Sequence, residues 1–385
     1  MEYFRAKSKQ RLERVMTPSK PIVPYTDLGN QAAPLKEQLL NAVGKVIDGG
    51  NFILGQNVTE FERAFARYCQ TEYATGLANG TCALHLVLRG LDFKQGDEVI
   101  TAPNSFIASA SSIDLAGLRV VFSDVREDMN MDPEKIEAAI TPKTKAIMPV
   151  HLTGRPAPMK EIIAIAKKHK LFVLEDAAQA LGATLNGQRV GSFGDAACFS
   201  LHPLKNLFAF GDAGMMTTPR KDIYEKMLKS RTHGLKNRND CEFFSFNCRL
   251  DELQAAMLLV TMTKLEEWTN KRRELAFYYN KNLKPFVEVP EEGPGEFCVY
   301  QTYVIKADRR DELLKYLNEN GVDAKVHYPT PIHMQEAAQH LGYKENDFPM
   351  ALKLSKRIMS LPLYPTLKVQ QQDLLIDLVR KFYAR

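Results

Sequence analysis

From about residue 71 onward, short apolar runs of strand length alternate with segments whose apolar residues recur at the period of a helix. The strand-like runs are 73–77, 98–102, 119–123, 146–151, 172–175, 197–201 and 214–217, and the helix-period segments include 81–91, 133–140 and 158–169. Such alternation with short links predicts right-handed crossovers and a mostly parallel sheet with helices on both faces. The last three runs lie closer together, which predicts a different connection there. We therefore expect an α/β fold built on a seven-stranded sheet.

The last hundred residues differ in pattern from the rest of the chain. A long helical pattern at about 250–283 ends where Pro285, Pro290 and Pro294 interrupt the periodicity, because proline breaks helices and sheet ladders. The elements predicted beyond it are strands at 298–305 and 324–328 and a helix at 310–320. These predict a smaller C-terminal α+β domain. The predicted division is an N-terminal arm at 1–26, a large α/β domain at 27–283 and the small domain at 284–385.

Composition and charge narrow the classes of function. Hydrophobic residues make up 45% of the 385 residues and charged residues 25%, as in globular proteins. The net charge is +5, but four of these positive charges fall within residues 1–20. A nucleic-acid-binding domain would carry a basic face of its own, so we expect no nucleic-acid partner. We interpret the basic start as a solvated arm, within which Met16 is a candidate for the natural start codon.

The chain also lacks the patterns of export, membrane insertion and metal binding. The basic start has no apolar stretch of a secretory signal, and no apolar run approaches the roughly 18 residues of a membrane span. The six cysteines form no C-x-x-C pair, and we expect them to be reduced. No carboxylate or cysteine cluster accompanies the histidines near residue 330, so no metal site is predicted. We therefore expect a cytoplasmic protein.

Three segments could carry chemistry, and the first is Asn79-Gly80-Thr81, which follows a predicted strand and opens a predicted helix. Gly80 allows close approach to the backbone, and the free amides of a first helical turn bind phosphate well. The alternative interpretation is an ordinary capped helix after a tight turn. The motif by itself favours that alternative.

The second segment is Glu175-Asp176, which ends an apolar strand and is followed by small residues. Open α/β sheets build their binding sites at the carboxyl ends of strands. A carboxylate buried there needs a cationic or hydrogen-bonding partner, and a pyridinium nitrogen would be one. The alternative is that Asp176 caps the segment that follows.

The third segment places Lys205 between a buried strand and a glycine-rich turn, Phe210-Gly211-Asp212-Ala213-Gly214. A lysine in apolar surroundings has a lowered pKa and becomes a nucleophile toward carbonyl groups. The alternative is a surface lysine in a loop. No G-x-G-x-x-G follows a strand, so an NAD-binding fold is not indicated.

Taken in order, five segments resemble the DegT/StrS-type sugar aminotransferases of the aspartate-aminotransferase fold (pyridoxal-phosphate, or PLP, fold type I). The segments are Asn-Gly-Thr at 79–81, Pro-Asn-Ser-Phe at 103–106, Glu-Asp-Ala-Ala-Gln at 175–179, Ser-x-x-Pro-x-Lys-Asn at 200–206 and Asn-x-Arg-Leu-Asp-Glu-Leu-Gln-Ala-Ala at 247–256. The similarity runs from about Asp27 to the C-terminus. It implies a PLP enzyme.

The resemblance also implies a role for each matched residue. Lys205 would hold PLP as a Schiff base, and Asp176 would pair with the pyridine nitrogen. The other implied cofactor contacts are Gln179 to the ring hydroxyl, Phe106 over one ring face (or simply in the core), and Gly80, Thr81 and Ser200 to the phosphate. Asn247 would reach the phosphate of a neighbouring subunit, which implies a homodimer with shared active sites. The alternative for Asn247 is a cap for the following helix. His327, Tyr328 and His333 would form the substrate-side wall.

The implied reaction moves an amino group from an amino acid, by resemblance L-glutamate, to a nucleotide-linked 3- or 4-keto-6-deoxyhexose. A keto-cyclitol aminotransferase would use the same residues on a different acceptor. A sugar dehydratase of this family carries His in place of Lys205, so the lysine argues against that activity. A non-catalytic PLP-binding regulatory protein is a third alternative, although residues 1–26 are too short for a DNA-binding module.

Overall fold

The computed structural model describes residues 21–384. Most of the predicted arm, with Met16, lies outside these residues. The basic start at 1–20 that we interpret as solvated is part of the segment outside the described residues, whereas the last part of the arm is packed. Val23 is fully buried, its N–H donates to the carbonyl of Gly321 (3.0 Å), and its carbonyl accepts from the N–H of Asp323 (2.9 Å).

Twelve strands and thirteen α-helices are formed within residues 21–384. The strands are β1 Tyr73–Leu77, β2 Glu98–Thr101, β3 Arg119–Phe122, β4 Thr144–Met148, β5 Phe172–Asp176, β6 Thr184–Leu185, β7 Gln188–Arg189, β8 Ala196–Ser200, β9 Gly214–Thr218, β10 Glu296–Phe297, β11 Tyr303–Lys306 and β12 Ile358–Leu361. The helices are α1 Leu28–Ala32, α2 Lys36–Gly49, α3 Gln56–Tyr68, α4 Gly80–Gly90, α5 Ile107–Leu115, α6 Pro133–Ala138, α7 Met159–His169, α8 Lys221–Ser230, α9 Glu252–Met262, α10 Leu265–Leu283, α11 Arg310–Glu319, α12 Pro349–Ser355 and α13 Val369–Tyr383.

The main sheet has seven strands in the order β1-β9-β8-β5-β4-β2-β3. Strand β9 runs antiparallel to both of its neighbours, and the other pairings are parallel. The predicted seven-stranded, mostly parallel sheet is therefore confirmed. The different connection expected after residue 172 is the one that leads from β8 into the antiparallel strand β9. Strand β4 ends at Met148 rather than near residue 151, because Pro149 has no N–H for the ladder.

Side chains of alternate strand residues enter two separate apolar cores, one on each face of the sheet. Ala196 and Cys198 belong to one core, and Ala197 and Phe199 to the other. This alternation follows from the two-residue period of a strand. Because both faces are covered, the polar side chains of the chemistry can only collect at the ends of the strands.

The predicted helical stretch at about 250–283 is helical, but it is divided into two helices, α9 and α10. Thr263 and Lys264 lie between them. The Thr263 hydroxyl donates to the carbonyl of Val260 (2.7 Å), a local bond that competes with the regular helical pattern.

The C-terminal part has its own core, which includes Val23 and the last turns of α10. Its two-stranded sheet pairs β11 with β12 in antiparallel fashion. The predicted strand at 298–305 is interrupted by Tyr300, whose φ is +45°. The predicted strand at 324–328 is wrong, because only one isolated bridge, Lys325 to Ser360, forms there.

The C-terminal part is not separate from the large one. Ile332, Phe348 and Ala351 pack into a core of the main sheet. The predicted boundary at 283/284 coincides with the end of α10 at Leu283, and the division into domains stays a prediction. Across the described residues 21–384, no helix has both the length and the apolar character that a membrane crossing requires.

Candidate active site

A cavity of about 620 Å³ opens at the carboxyl ends of the sheet strands. Strand β5 contributes Asp176 and strand β8 contributes Ser200. The segments that follow β1 and β2 contribute Gly80 and Phe106. Parallel strands bring their carboxyl ends to one edge, which is where open α/β sheets bind ligands.

One end of the cavity is formed by the N-terminus of α4. Asn79 is the N-cap, and its Oδ1 accepts a hydrogen bond from the N–H of Cys82 (2.8 Å). Gly80 and Thr81 are the first residues of the helix, so their amides have no carbonyl one turn earlier to bind. A β-carbon at Gly80 would lie 3.0 Å from Cβ of Ser200, so any larger residue would push the start of α4 and Ser200 apart. The first helical turn and the end of β8 thus form a compact cradle lined by donors.

Asp176 lies at the floor of the cavity and is only 4% exposed. Its Oδ2 accepts from the Ser109 hydroxyl (2.7 Å), and its Oδ1 accepts from the N–H of Ala178 (3.2 Å). Burial raises the pKa of Asp176, while these two hydrogen bonds and the charge of Lys205 oppose that rise. The bond from Ala178 shows that Asp176 also caps the turn that follows β5, as the alternative interpretation expected, although that turn does not continue as a helix.

Lys205 lines the same cavity, and the surface-lysine alternative is wrong. Burial lowers the pKa of Lys205 to about 8, against the opposing attraction of Asp176. The following residue, Asn206, donates its N–H to Gln301 Oε1 (2.9 Å), and Gln301 Nε2 donates to the Leu204 carbonyl (2.6 Å). Gln301 therefore holds the backbone on both sides of the lysine.

Gln179 is oriented by the backbone beside it. Its Oε1 accepts from the N–H of Thr153 (2.7 Å), which leaves its Nε2 as a donor 3.4 Å from the hydroxyl of Tyr328. Phe106 is 53% exposed on the cavity, so the alternative of plain core packing is wrong. The rings of Phe106 and Tyr328 have centroids 5.7 Å apart.

Of the three predicted wall residues, two line the cavity. They are His327 and Tyr328. His327 Nδ1 lies 2.9 Å from the Ser360 hydroxyl, and burial lowers the pKa of His327, which favours a neutral ring. His333 does not line the cavity. It is 3% exposed, its Nε2 donates to the carbonyl of Glu345 (3.2 Å), and it packs on Phe348.

Asn247 lies outside the cavity of its own chain and is exposed. It forms an isolated bridge with Thr232. The N-cap of α9 is Asp251, so the alternative that Asn247 caps this helix is wrong. The neighbouring Cys248 carbonyl accepts from the N–H of Ala78 (3.1 Å), which places this segment next to the α4 cradle.

Several residues of the site were not found from the sequence. His151 is fully buried, accepts from the N–H of Ala157 at Nδ1 (2.9 Å), and therefore donates from Nε2 to Glu175 (3.0 Å). Glu175 also accepts three backbone N–H groups from residues 191–194. This network anchors the end of β5 directly behind Asp176. The partners are distant in the chain, so no local pattern marks them.

The titratable groups do not form a metal centre within residues 21–384. In this part of the chain, no group of three or more His, Cys, Asp or Glu side chains could hold a metal ion. The chemistry of the cavity instead comes from one buried carboxylate, one buried amine and a helix N-terminus.

Several curated proteins are similar to this chain over nearly their whole length. A pleiotropic regulatory protein of Geobacillus stearothermophilus is 42% identical over 366 residues, covering 94% of this chain and 98% of the relative. A UDP-N-acetyl-3-dehydro-alpha-D-glucosamine 3-aminotransferase of Acidithiobacillus ferrooxidans is 39% identical over 93% of this chain and 97% of its own. A dTDP-3-amino-3,4,6-trideoxy-alpha-D-glucose transaminase of Streptomyces venezuelae is 37% identical, and the match covers 95% of this chain and 97% of the relative.

Solved structures agree in fold over nearly the whole chain. DesV of Streptomyces venezuelae superposes with a TM-score of 0.92 at 37% identity, covering 95% of this chain and 99% of that chain. NtdA of Bacillus subtilis, crystallised with bound cofactor PMP, superposes with a TM-score of 0.88 at 31% identity, covering 94% and 85%. The family of DegT/DnrJ/EryC1/StrS aminotransferases matches residues 34–380. The family match, the relatives and the residues of the cavity all agree. The chain belongs to the DegT/DnrJ/EryC1/StrS aminotransferase family.

Proposed function

We propose that this aminotransferase uses PLP to move an amino group from L-glutamate to a nucleotide-linked 3- or 4-keto-6-deoxyhexose. The observation that carries the proposal is the presence of Asp176 and Lys205 in one cavity with the α4 N-terminus. A carboxylate for the pyridine nitrogen, an amine nucleophile and a phosphate cradle are the groups that would bind and activate PLP. The acceptor is proposed from the relatives whose names specify dTDP- or UDP-linked amino sugars.

The residues of the cavity fit PLP on two physical grounds. Asp176 is buried, yet it forms no ion pair with any side chain of residues 21–384, and its two partners are a hydroxyl and an amide. A buried carboxylate is favoured when a cation pairs with it, and a protonated pyridine nitrogen supplies that cation. Gly80 lets the start of α4 pack closely against Ser200, so free amides and the Ser200 hydroxyl would converge on one phosphate.

Each residue would then have a defined role. The Lys205 amine would attach the cofactor, Asp176 would keep its pyridine nitrogen protonated, and Gln179 Nε2 would donate to its ring hydroxyl. Phe106 would cover one ring face, and Gly80, Thr81 and Ser200 would bind the phosphate. When bound, PLP supplies an electron sink for the bonds at the α-carbon of the amino acid.

Lys205 would also act as the acid and base of the reaction. Once the amino-acid substrate has displaced it, the free amine can take the proton from the α-carbon of the amino acid. It can then deliver that proton to the C4′ carbon of the cofactor. Its pKa of about 8 leaves a much larger neutral fraction at neutral pH than an ordinary lysine has. General bases work best when their pKa lies near the working pH. The neutral ring of His327 and the hydroxyl of Tyr328 would contact the substrate on the side facing Lys205.

Asn247 would complete the phosphate site of a partner subunit, which makes the working unit a homodimer. Its exposure supports this role, because a residue outside the cavity of its own chain can reach an equivalent cavity across a two-fold interface.

A regulatory function is the second candidate, because one relative at 42% identity bears a regulatory name. The cavity keeps both Asp176 and Lys205, and a protein that only senses PLP has no need of an acid–base lysine beside an electron sink. Product analysis separates the two candidates. The purified protein is supplied with L-glutamate and a panel of dTDP- and UDP-linked 3-keto and 4-keto sugars and a keto-cyclitol, and the products are identified by mass spectrometry.

We expect 2-oxoglutarate and one aminated nucleotide sugar to form in equal amounts, and neither to form with Lys205→Ala. That variant should also lose the visible absorbance of the attached cofactor while keeping its fold. Amination of the keto-cyclitol alone would identify the alternative acceptor. Binding of PLP without any turnover across the whole panel would favour the regulatory candidate.

A further inference from the structure

Arg272 on helix α10 is a buried cation in the wall of the active-site cavity. It is only 6% exposed, and it lines the cavity beside Tyr25 and Leu363. Tyr25 comes from the N-terminal arm and Leu363 from the C-terminal part, whereas the phosphate cradle belongs to the main sheet. The proposed binding of the cofactor and the proposed proton transfer do not involve this arginine.

The hydrogen bonds of Arg272 leave its charge uncompensated. Its Nη1 donates to the carbonyls of Leu363 (2.7 Å) and Tyr300 (3.5 Å), and its Nε has no acceptor. No carboxylate within residues 21–384 forms an ion pair with it. Burial lowers the pKa of Arg272 to about 10, so the guanidinium still carries its charge at neutral pH.

The other buried arginines of the described chain are paired differently. Arg231 is 7% exposed and binds Glu62 at 2.5 Å, and Arg310 is 8% exposed and binds Asp311 at 2.6 Å. A buried charge without a partner is unfavourable, and proteins normally neutralise it. Arg272 is therefore the buried arginine of residues 21–384 whose counter-charge is missing, and it faces the space where substrates bind.

We propose that Arg272 binds a carboxylate of the amino-acid donor. The inference rests on the proposed function, which requires a donor with at least one carboxylate in this cavity. A guanidinium matches a carboxylate through two parallel N–H···O bonds. Tyr25 lines the cavity beside Arg272, and it supplies no negative charge because burial raises the pKa of its hydroxyl. The cofactor phosphate is not the expected partner, since the amides of α4 and Ser200 supply its site.

The reaction with the donor alone tests this proposal. Holoenzyme is mixed with L-glutamate, and the rate of the visible spectral change is measured against glutamate concentration, which separates the apparent Kd from the limiting rate. We expect Arg272→Met to raise the apparent Kd for glutamate by about 10- to 100-fold, the range for hydrogen bonds to charged groups. Arg272→Lys should lie between this variant and the wild type, since it keeps the charge but loses the planar fork.

Arg273→Met is a matched control from the next position on α10. Arg273 binds Glu292 and the carbonyl of Cys298, and it does not line the cavity. This control should leave the apparent Kd for glutamate unchanged within about twofold. The affinity of the aminated enzyme for the keto sugar, measured in the opposite half-reaction, should be equally insensitive to Arg272→Met.

Two results would overturn the inference while leaving the proposed function intact. One is an unchanged apparent Kd for glutamate in folded, cofactor-loaded Arg272→Met. The other is an equal loss of affinity for glutamate and for the keto sugar, which would indicate a structural role or a contact with the nucleotide phosphates. A wild-type protein that reacts with no amino acid would contradict the proposed function itself, and this inference with it.

Discussion

The hydroxyl of Ser109 donates a 2.7 Å hydrogen bond to Oδ2 of Asp176 below the cavity that Lys205 lines. The hydroxyl of Ser105 lies 2.8 Å from Ser109 Oγ and extends this chain of hydrogen bonds. Helix α5 therefore orients the carboxylate of β5 from one side, and the N–H of Ala178 orients it from the other. The carboxylate is held in place by the protein before any ligand contributes to its position.

Asp176→Asn should bind PLP but lose most of the transamination rate. An amide cannot keep the pyridine nitrogen protonated, and removal of a preorganised charge from a dry site costs about 100- to 1000-fold in kcat. Ser109→Ala is the graded control. We expect its kcat to fall only about fivefold, because the substitution removes one hydrogen bond to Asp176 and leaves the charge of the carboxylate in place. Steady-state kinetics with cofactor content measured in parallel would decide. Wild-type kcat in the Asn variant would refute the proposed role of Asp176.

The cofactor-free protein should bind PLP at a rate that depends on pH through Lys205. The neutral amine is the nucleophile, and burial lowers the pKa of Lys205 to about 8. The second-order rate of recovery of the visible absorbance should rise as pH increases through about 8 and level off above it. An ordinary exposed lysine would still gain rate up to about pH 10.4.

Asp176→Asn provides the control for this pH profile, since the carboxylate of Asp176 opposes the effect of burial on the lysine. Without that charge, the midpoint should move to lower pH. A profile that still rises steeply above pH 9 in the wild type would show that Lys205 is not desolvated in the cofactor-free protein.

Mixing two inactive variants should restore activity if Asn247 completes the site of a partner subunit. When Lys205→Ala and Asn247→Ala chains form a heterodimer, one site carries both defects and the other is wholly wild type. Random pairing of equal amounts should therefore recover about a quarter of wild-type activity. The assay follows product formation after subunit exchange, with each variant alone as the reference.

A fully active monomer in sedimentation experiments would exclude this arrangement. So would the absence of recovery in proven heterodimers when Asn247→Ala alone is clearly defective, because Asn247 would then act within its own chain or only on the fold.

Cys82, the third residue of α4, should be an unusually reactive thiol in the cofactor-free protein. A hydrogen bond from the thiol of Cys248 lowers the pKa of Cys82 below that of an ordinary thiol. The thiolate, which is the reactive form, therefore forms at lower pH than it does in an ordinary cysteine. Peptide mapping after brief treatment with iodoacetamide should show half-maximal modification of Cys82 at a pH below the roughly 8.5 of an ordinary thiol. Bound PLP should slow the modification because Cys82 lines the cavity.

Cys248→Ala is the matched control, because it removes the hydrogen-bond donor and should move the midpoint toward that of an ordinary thiol near 8.5. The buried Cys69 should remain unmodified under the same conditions, since burial raises the pKa of its thiol. Equal pH profiles for Cys82 in the presence and absence of Cys248 would contradict the hydrogen bond between the two.

Much of the large α/β part follows from local pattern. Its seven main strands were predicted in order because buried parallel strands are continuous apolar runs separated by helical periods. The same pattern places Asp176, Ser200 and the turn at Gly80 at the ends of strands, and Lys205 just beyond one. Since strand ends converge at one edge of the sheet, their proximity was a consequence of the predicted topology.

The C-terminal part was predicted less well, because local patterns there do not determine pairing. Strand β12 follows helix α12 closely and exists because β11 lies beside it. The predicted strand at 324–328 makes only a single bridge to β12. His333 resembled a wall residue through its neighbours in sequence, yet it turns into the core that Phe348 and Phe122 form.

The sequence by itself determined the sheet, the family and the residues proposed to hold the cofactor, because each depends on short-range periodicity or on a compact motif. Only the tertiary structure decided which distant residues support them. Examples are His151 behind Glu175, Gln301 on both sides of Lys205, and Arg272 without a counter-charge. Burial and ion pairing depend on contacts between groups that are far apart in the chain. A local pattern of residues therefore does not predict them.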